Sequence, residues 1–203
     1  MSIEEASYRP IKFLDKMEGK NHIVLLYYDE RKYADLVIAR YLLNGLQKGE
    51  SCIFFTSDKP ETIEERLFVK GIDVDSYKQT NSLRIFCIER SDTGKLDALD
   101  TLKSIREEAT RGMKPPYRFV GRTIRDTGTI EGMNLGLVVE RVGHEHFEEF
   151  DNSQLCYYDI SEIEQSKRDE WIRGLLKTHH CVIYASESDK AVAFETRLLE
   201  LEE

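Results

Sequence analysis

Six short runs of β-forming, mostly apolar residues lie at 22–28, 51–57, 83–89, 117–124, 154–160 and 180–185, each separated from the next by a helical pattern. Runs such as IVLLYY, CIFFTS and LCYYDI show little polar alternation, as strands do when both faces are covered. Between them, 32–48 carries Tyr33, Leu36, Val37, Tyr41 and Leu46 at helical spacing and ends at Gly49. The segment 60–70 opens on Pro60 and ends at Gly71, a proline-first, glycine-last helix. In 95–111, Leu96, Leu99, Leu102, Ile105 and Ala109 form one stripe, stopped by Gly112 and Pro115–Pro116. A long helix is expected over 131–150, weakened by Gly132, Gly136 and Gly143, and the SEIE at 161–164 has the form of a capping box opening a helix through Lys177. A last helix is expected over 189–201, and a short amphipathic helix before His22 (Ile11, Phe13, Leu14, Met17) against the sheet edge.

Strand and helix alternating about six times, with connections long enough for right-handed crossovers, predict an α/β fold. The expectation is one domain over 1–203, a three-layer, doubly wound, mostly parallel sheet of about six strands. Residues 1–20 form its helical extension and 189–203 its C-terminal helix. The chain has 203 residues, enough to bury a core without disulfides. Its 38 acidic and 29 basic residues give a net charge of −9, which argues against nucleic acid and anionic membranes as direct partners. No apolar run approaches the ~18 residues of a membrane span, and the polar N-terminus is unlike a signal peptide, so a cytoplasmic location is expected. Cys52, Cys87, Cys156 and Cys181 form no CxxC pair and read as buried free thiols, so no metal or cofactor is expected from spacing.

In open α/β sheets ligands bind beyond the carboxyl ends of the strands. After the first run stands Tyr27-Tyr28-Asp29-Glu30-Arg31-Lys32, with no glycine between His22 and Asn44. The glycine-rich loop whose N–H groups would close on phosphates is therefore absent, and Asp29 reads as a helix N-cap. At the second run, Ser57 and its neighbours read as a cap or a weak anion site. The third and fourth runs end in Arg90 and in Arg122 and Arg125, the densest polar cluster that the fold should gather. These guanidinium groups either clamp a carboxylate or phosphate or pair with Glu89, Asp92 and Asp126. His22 and the His179–His180 pair fall at the amino ends of the first and last runs and are expected as neighbours in a structural role at the opposite pole. His144 and His146 do not make a HExxH helix, no serine sits in a GxSxG elbow, and carboxylates are too numerous to single out a pair.

Several segments together resemble the MEDS family, the sensory domain named from methanogen and methylotroph regulators, including the dichloromethane-responsive repressor. They are His22-Ile-Val-Leu-Leu-Tyr-Tyr28, Gly45-Leu-Gln-Lys-Gly-Glu50, the strand at 51–57, LFVKGID at 67–73, LRIF at 83–86, and Gln154-Leu-Cys-Tyr-Tyr-Asp159. The resemblance runs from about residue 11 to 190 and places His22, Tyr28, Gly49, Glu50, Cys156, Tyr158 and Asp159 on the family pattern. It implies a RecA/KaiC-like fold lacking its phosphate loop, and a domain that binds a small molecule and passes the result to a kinase or DNA-binding output. Where family members carry a Gly-Glu-Met-x-Trp-like stretch, this chain has Gly121-Arg-Thr-Ile-Arg-Asp126, which implies a more polar or anionic ligand.

The resulting expectation is a stand-alone sensory module rather than an enzyme, with a pocket of Tyr27, Tyr28, Ser57, Arg90, Arg122, Arg125 and Asp159. It would signal through a partner protein or by self-association as a homo-oligomer. Two other readings remain: a degenerate nucleotide-binding protein without efficient hydrolysis, and an interaction scaffold using an exposed patch of Phe147, Phe150 and Tyr157.

Overall fold

The computed structural model describes residues 8–88, 98–122, 127–187 and 189–199. Its seven strands are β1 (His22–Tyr27), β2 (Ser51–Thr56), β3 (Leu83–Cys87), β4 (Tyr117–Val120), β5 (Asn152–Asp159), β6 (Cys181–Tyr184) and β7 (Val192–Glu195). They form one sheet in the order β3-β2-β4-β5-β1-β6-β7, parallel throughout except for β7. The helices are α1 (Arg9–Lys16), α2 (Arg31–Gln47), α3 (Pro60–Val69), α4 (Val74–Gln79), α5 (Ala98–Thr110), α6 (Ile130–Glu145) and α7 (Arg168–Lys177).

Strand β1 is buried at all six positions, as its unbroken apolar run requires. Successive strand residues point to opposite faces. Ile23, Leu25 and Tyr27 pack in a core with Leu14, Leu36, Leu42, Ile63, Leu67 and Val74 from α1 to α4. Val24 and Leu26 pack in another with Met133 of α6 and Trp171 and Leu175 of α7. Two groups of helices thus cover the two faces. Where β4 ends, Gly121 has φ +140°, and a Cβ there would lie 2.6 Å from the Phe55 carbonyl oxygen. Only glycine allows this close approach between the ends of β4 and β2.

The expected C-terminal helix at 189–203 is corrected: Val192–Glu195 is a strand, followed by a 3-10 turn at Thr196–Leu198. Pairing antiparallel with β6, in register Cys181 with Glu195, satisfies backbone groups on the sheet edge that a helix would leave unpaired. The helix expected from Ser161 begins only at Arg168; before it come two 3-10 turns, Ile160–Glu162 and Gln165–Lys167. Asp159 accepts from the Ser161 N–H and Glu164 from the Ser166 N–H, so each local cap closes a short turn. The patch of Phe147, Phe150 and Tyr157 that would favour a scaffold is not exposed as one surface, since Phe147 is buried and Arg106 lies 3.8 Å from the Phe150 ring centre.

The Gly49–Glu50 pair has a structural role. Gly49 (φ +80°) follows the end of α2, and the Glu50 carboxylate grips the Arg118 guanidinium at two points, 2.6 and 3.0 Å. Arg118 also donates to the Tyr41 carbonyl at 2.9 Å and lies 4.7 Å from the Tyr41 ring centre. Both partners of the ion pair are largely buried. Replacing Glu50 with Ala strands a buried guanidinium, with an expected loss of about 3 kcal/mol in urea unfolding. A loss below about 1 kcal/mol would mean that water reaches Arg118.

Candidate functional site

The connection after β1 runs to β2 on one side, and that after β5 runs to β6 on the other. The adjacent carboxyl ends of β1 and β5 are therefore the switch point of the sheet, where a crevice is expected. Tyr27 pairs with Asp159 in register there. Asp29 is not a helix cap: it takes φ +56°, and its N–H donates to Asp159 Oδ1 at 3.3 Å, because the chain must turn sharply between strand and helix. Asp159 Oδ1 also accepts from the Ser161 hydroxyl at 2.6 Å. Tyr27 is buried and Tyr28 is exposed. Ser57 is exposed just past β2, beside the Thr56 hydroxyl that accepts from the Asp58 N–H at 2.9 Å.

Arg122 lies 3.6 Å from Glu162 and 5.8 Å from the Tyr158 ring centre. Two further arginines, Arg31 and Arg66, stand nearby, and both pair with Asp35. Arg31 lies 6.0 Å from the Tyr157 ring centre, and Arg66 chelates Asp35. Burial pushes the Tyr157 phenol up, and Arg31, Arg122 and Arg66 pull it down, so all three guanidinium groups act on one ring. Tyr27 is pushed up to about 12, chiefly by burial. Arg31 was legible as the first residue of a helix after a carboxyl end; Arg66 carried no signal. Arg90 and Arg125 lie outside the described residues.

The amino half of the same strands holds a second constellation. His22 and Gln154 are register partners, as are Val24 and Cys156, so the side chains of His22, Gln154, Cys156 and Tyr158 share the face beneath α6 and α7. Glu140 descends onto this face from α6, on a stripe with Met133, Gly136 and Gly143. His179 enters from the turn between α7 and β6. As expected, the histidines are neighbours: the His22 and His179 ring centres are 4.0 Å apart, and the His22 N–H donates to His180 Nδ1 at 3.2 Å. One ligand atom each from His22, Glu140, Cys156 and His179 lies within 4.8 Å of the others, all four residues buried. Two imidazoles, a carboxylate and a thiol are ordinary metal-ligating groups.

Burial lowers His22 well below the usual imidazole value and His179 to about 3; it raises Glu140 and Cys156. The His–Glu contacts of 3.5–3.7 Å are therefore not ion pairs of a protonated imidazole. Tyr158 and Cys156 both donate to Glu140. Arg106, itself lowered to about 10 by burial, donates to Gln154 at 2.8 Å, and Gln154 donates to Cys156 at 3.0 Å.

A family model described as MEDS, the methanogen/methylotroph, DcmR sensory domain, matches residues 21–180, a span that includes both constellations. A protein from Pyrococcus horikoshii OT3, the subject of a structural study, superposes with a TM-score of 0.58 over 91% of this chain and 91% of its own. At 11% identity that likeness is one of fold. No curated protein matches the chain. Among the described residues no helix is long and apolar enough to cross a membrane.

The buried histidines set a pH dependence. Unfolded imidazoles take up protons as pH falls through about 6.5, while folded His179 resists until about 3. The unfolded state therefore binds more protons in that window, and stability present above it falls on acidification, by up to about 1.4 kcal/mol per pH unit for this one group. His22 acts in the same sense; Glu140, raised in the folded protein, acts against it; His144 and His180, facing the same rings, are also lowered. Urea unfolding at about pH 5 and about pH 7.5 should show a shallower loss in His179→Gln than in the parent. Equal slopes would mean that His179 titrates as a solvated imidazole.

Proposed function

We propose that this chain, which belongs to the MEDS family of sensory domains, is a sensory module rather than a catalyst. Its ligand is a small anionic molecule bound at the carboxyl ends of β1, β5 and β2, and a partner protein receives the signal. The observation that carries this reading is the set of arginines near the switch point: Arg31, 6.0 Å from the Tyr157 ring centre, Arg66, which pairs with Asp35 as Arg31 does, and Arg122, 5.8 Å from the Tyr158 ring centre. Guanidinium groups recognise carboxylate and phosphate with fixed geometry, and the tyrosines supply flat walls. Tyr27, Tyr28, Ser57 and Asp159 border the crevice, and Arg90 and Arg125 belong to the same reading. The first turn after β1 has no glycine-rich loop, which favours an organic anion over tight nucleoside-triphosphate binding within a degenerate RecA/KaiC-like fold.

A second reading has its own observation. A cavity of about 260 Å³ lies at the opposite pole, between α1, α2 and the starts of β4 and β5, lined by Tyr41, Glu50, Arg118 and Asn152 among others. The Tyr41 hydroxyl and both side-chain polar atoms of Asn152 are buried there without hydrogen-bond partners. Unpaired buried polar groups favour a ligand or water that satisfies them.

A thermal-shift panel of nucleotides, cyclic nucleotides and small organic acids separates the two readings. Under the first, a stabilising anion loses at least about tenfold in affinity in Arg122→Ala, roughly one charge-assisted contact, and none in Asn152→Ala. The reverse pattern moves the ligand to the 260 Å³ cavity. A flat panel defeats both.

A further inference from the structure

We propose that His22, Glu140, Cys156 and His179 form a closed, four-coordinate zinc(II) site in the amino half of the sheet. The first argument is distance. Glu140 Oε2 lies 3.7 Å from His22 Nε2, 3.5 Å from His179 Nε2 and 3.6 Å from Cys156 Sγ, and Cys156 Sγ lies 3.6 Å from His22 Nε2. The N···O separations exceed the ~2.7–3.2 Å of a hydrogen bond. They match the edges of a tetrahedron around zinc, which for bonds of about 2.0–2.3 Å are about 3.3–3.8 Å.

The second argument is the position of one proton. His179 Nδ1 lies 2.8 Å from the Leu175 carbonyl oxygen, which can only accept. The Nδ1 atom must therefore carry the hydrogen, and Nε2 presents a bare lone pair. That lone pair is buried without a hydrogen-bond partner and faces a carboxylate oxygen. Two electron-rich atoms facing one another in a dry interior are stabilised by a cation that both can bind.

The third argument is the surrounding shell. Ligating histidines usually donate their other N–H to a carbonyl or carboxylate, and ligating carboxylates are themselves hydrogen-bonded. His179 meets the first condition through Leu175, and Glu140 the second, since the Tyr158 hydroxyl donates to Oε1, while Oε2, which the Cys156 thiol reaches at 3.6 Å, is left for the metal once that thiol gives up its proton. Gln154 donates to the Cys156 sulfur at 3.0 Å and is itself held by Arg106. Charge closes as well: one thiolate and one carboxylate balance a divalent ion. A mixed sulfur, nitrogen and oxygen set suits zinc over the hard cations magnesium and calcium. Four protein ligands leave no open position, the mark of a structural rather than a catalytic centre. Of the four ligands, His179 also lines a surface cavity of about 670 Å³, together with His144 and His180.

The test uses the full chain, stripped with a chelator and reloaded with zinc(II) or cobalt(II) alone. Elemental analysis should return one zinc per chain after desalting, and zinc should raise the melting temperature of the stripped protein. Cobalt should give the intense visible bands of a tetrahedral centre with a near-ultraviolet thiolate charge-transfer band. That band should vanish in Cys156→Ser and survive in the Cys87→Ser/Cys181→Ser pair, whose remaining second thiol, Cys52, packs in the core on the opposite face. If Cys156→Ser does not fold, the pair variant decides alone, since its band can then come only from Cys156 or the secluded Cys52. Substoichiometric zinc, weak octahedral cobalt bands, or a band lost in the pair variant would each overturn the site.

Discussion

Strand β1 is hydrogen-bonded on both sides, to β5 and to β6, and each of its six residues is buried. Its register fixes everything that follows. Because side chains alternate strictly, a slip of one residue would carry His22 to the opposite core and turn Tyr27 away from its own. The ladder between β1 and β5 sets His22 diagonally against Cys156 at one pole and Tyr27 beside Asp159 at the other. Both constellations are thus consequences of one set of backbone hydrogen bonds. Apolar residues over the middle of the sheet enforce them without taking part in either.

The two deeply placed carboxylates of this half of the fold obey different rules. Glu50 has a full bidentate partner in Arg118, and Arg118 donates from its third nitrogen to a carbonyl. Each nitrogen of that guanidinium has a partner, and the pair anchors β4 to the end of α2. Glu140 has no such cation at contact distance. It sits on the inner face of α6 among two histidines and a thiol, with a single tyrosine hydroxyl on its far oxygen. A buried carboxylate and bare imidazole nitrogens together cost several kcal/mol when unsatisfied. That is a sizeable part of the ~5–15 kcal/mol net stability of a typical domain.

The parallel sheet was legible because apolar runs such as IVLLYY cannot be half-exposed, and helix ends were legible at Gly49, Gly71 and Gly112. The last strand was misread because Asp189 to Leu201 has acceptable helical spacing and its pairing partner is β6, which no local pattern announces. The nearness of His22 to His179 and His180 followed from both segments starting parallel strands. The rest of the cluster did not follow. Spacing rules for metal ligands look along the chain, whereas these four residues come from β1, α6, β5 and the turn before β6. Glu140 was hidden among many carboxylates, although its place on the buried stripe of Met133, Gly136 and Gly143 marks it out.

Tyr158 touches both sites directly, its hydroxyl donating to Glu140 and its ring centre lying 5.8 Å from Arg122, and two longer links also join the poles. The strands are one: β1 runs from His22 in the cluster to Tyr27 at the crevice, roughly 17 Å at about 3.3 Å per residue, and β5 from Cys156 to Asp159, roughly 10 Å. Both are paired on both sides, β1 buried throughout and β5 at four of its eight positions, and they hold geometry. The other link is the segment between β5 and β6. Its first turn carries Glu162, the partner of Arg122, and its closing helix α7 carries the Leu175 carbonyl that fixes the His179 ring. Between these points lie two 3-10 turns held by the side chains of Asp159 and Glu164. Short turns with side-chain caps and exposed backbone open at lower free energy than a buried parallel ladder. Coupling between distant sites requires an element that both sites bias. The segment from Ile160 to His179 touches both places, through Glu162 with Arg122 and through the Leu175 carbonyl with His179.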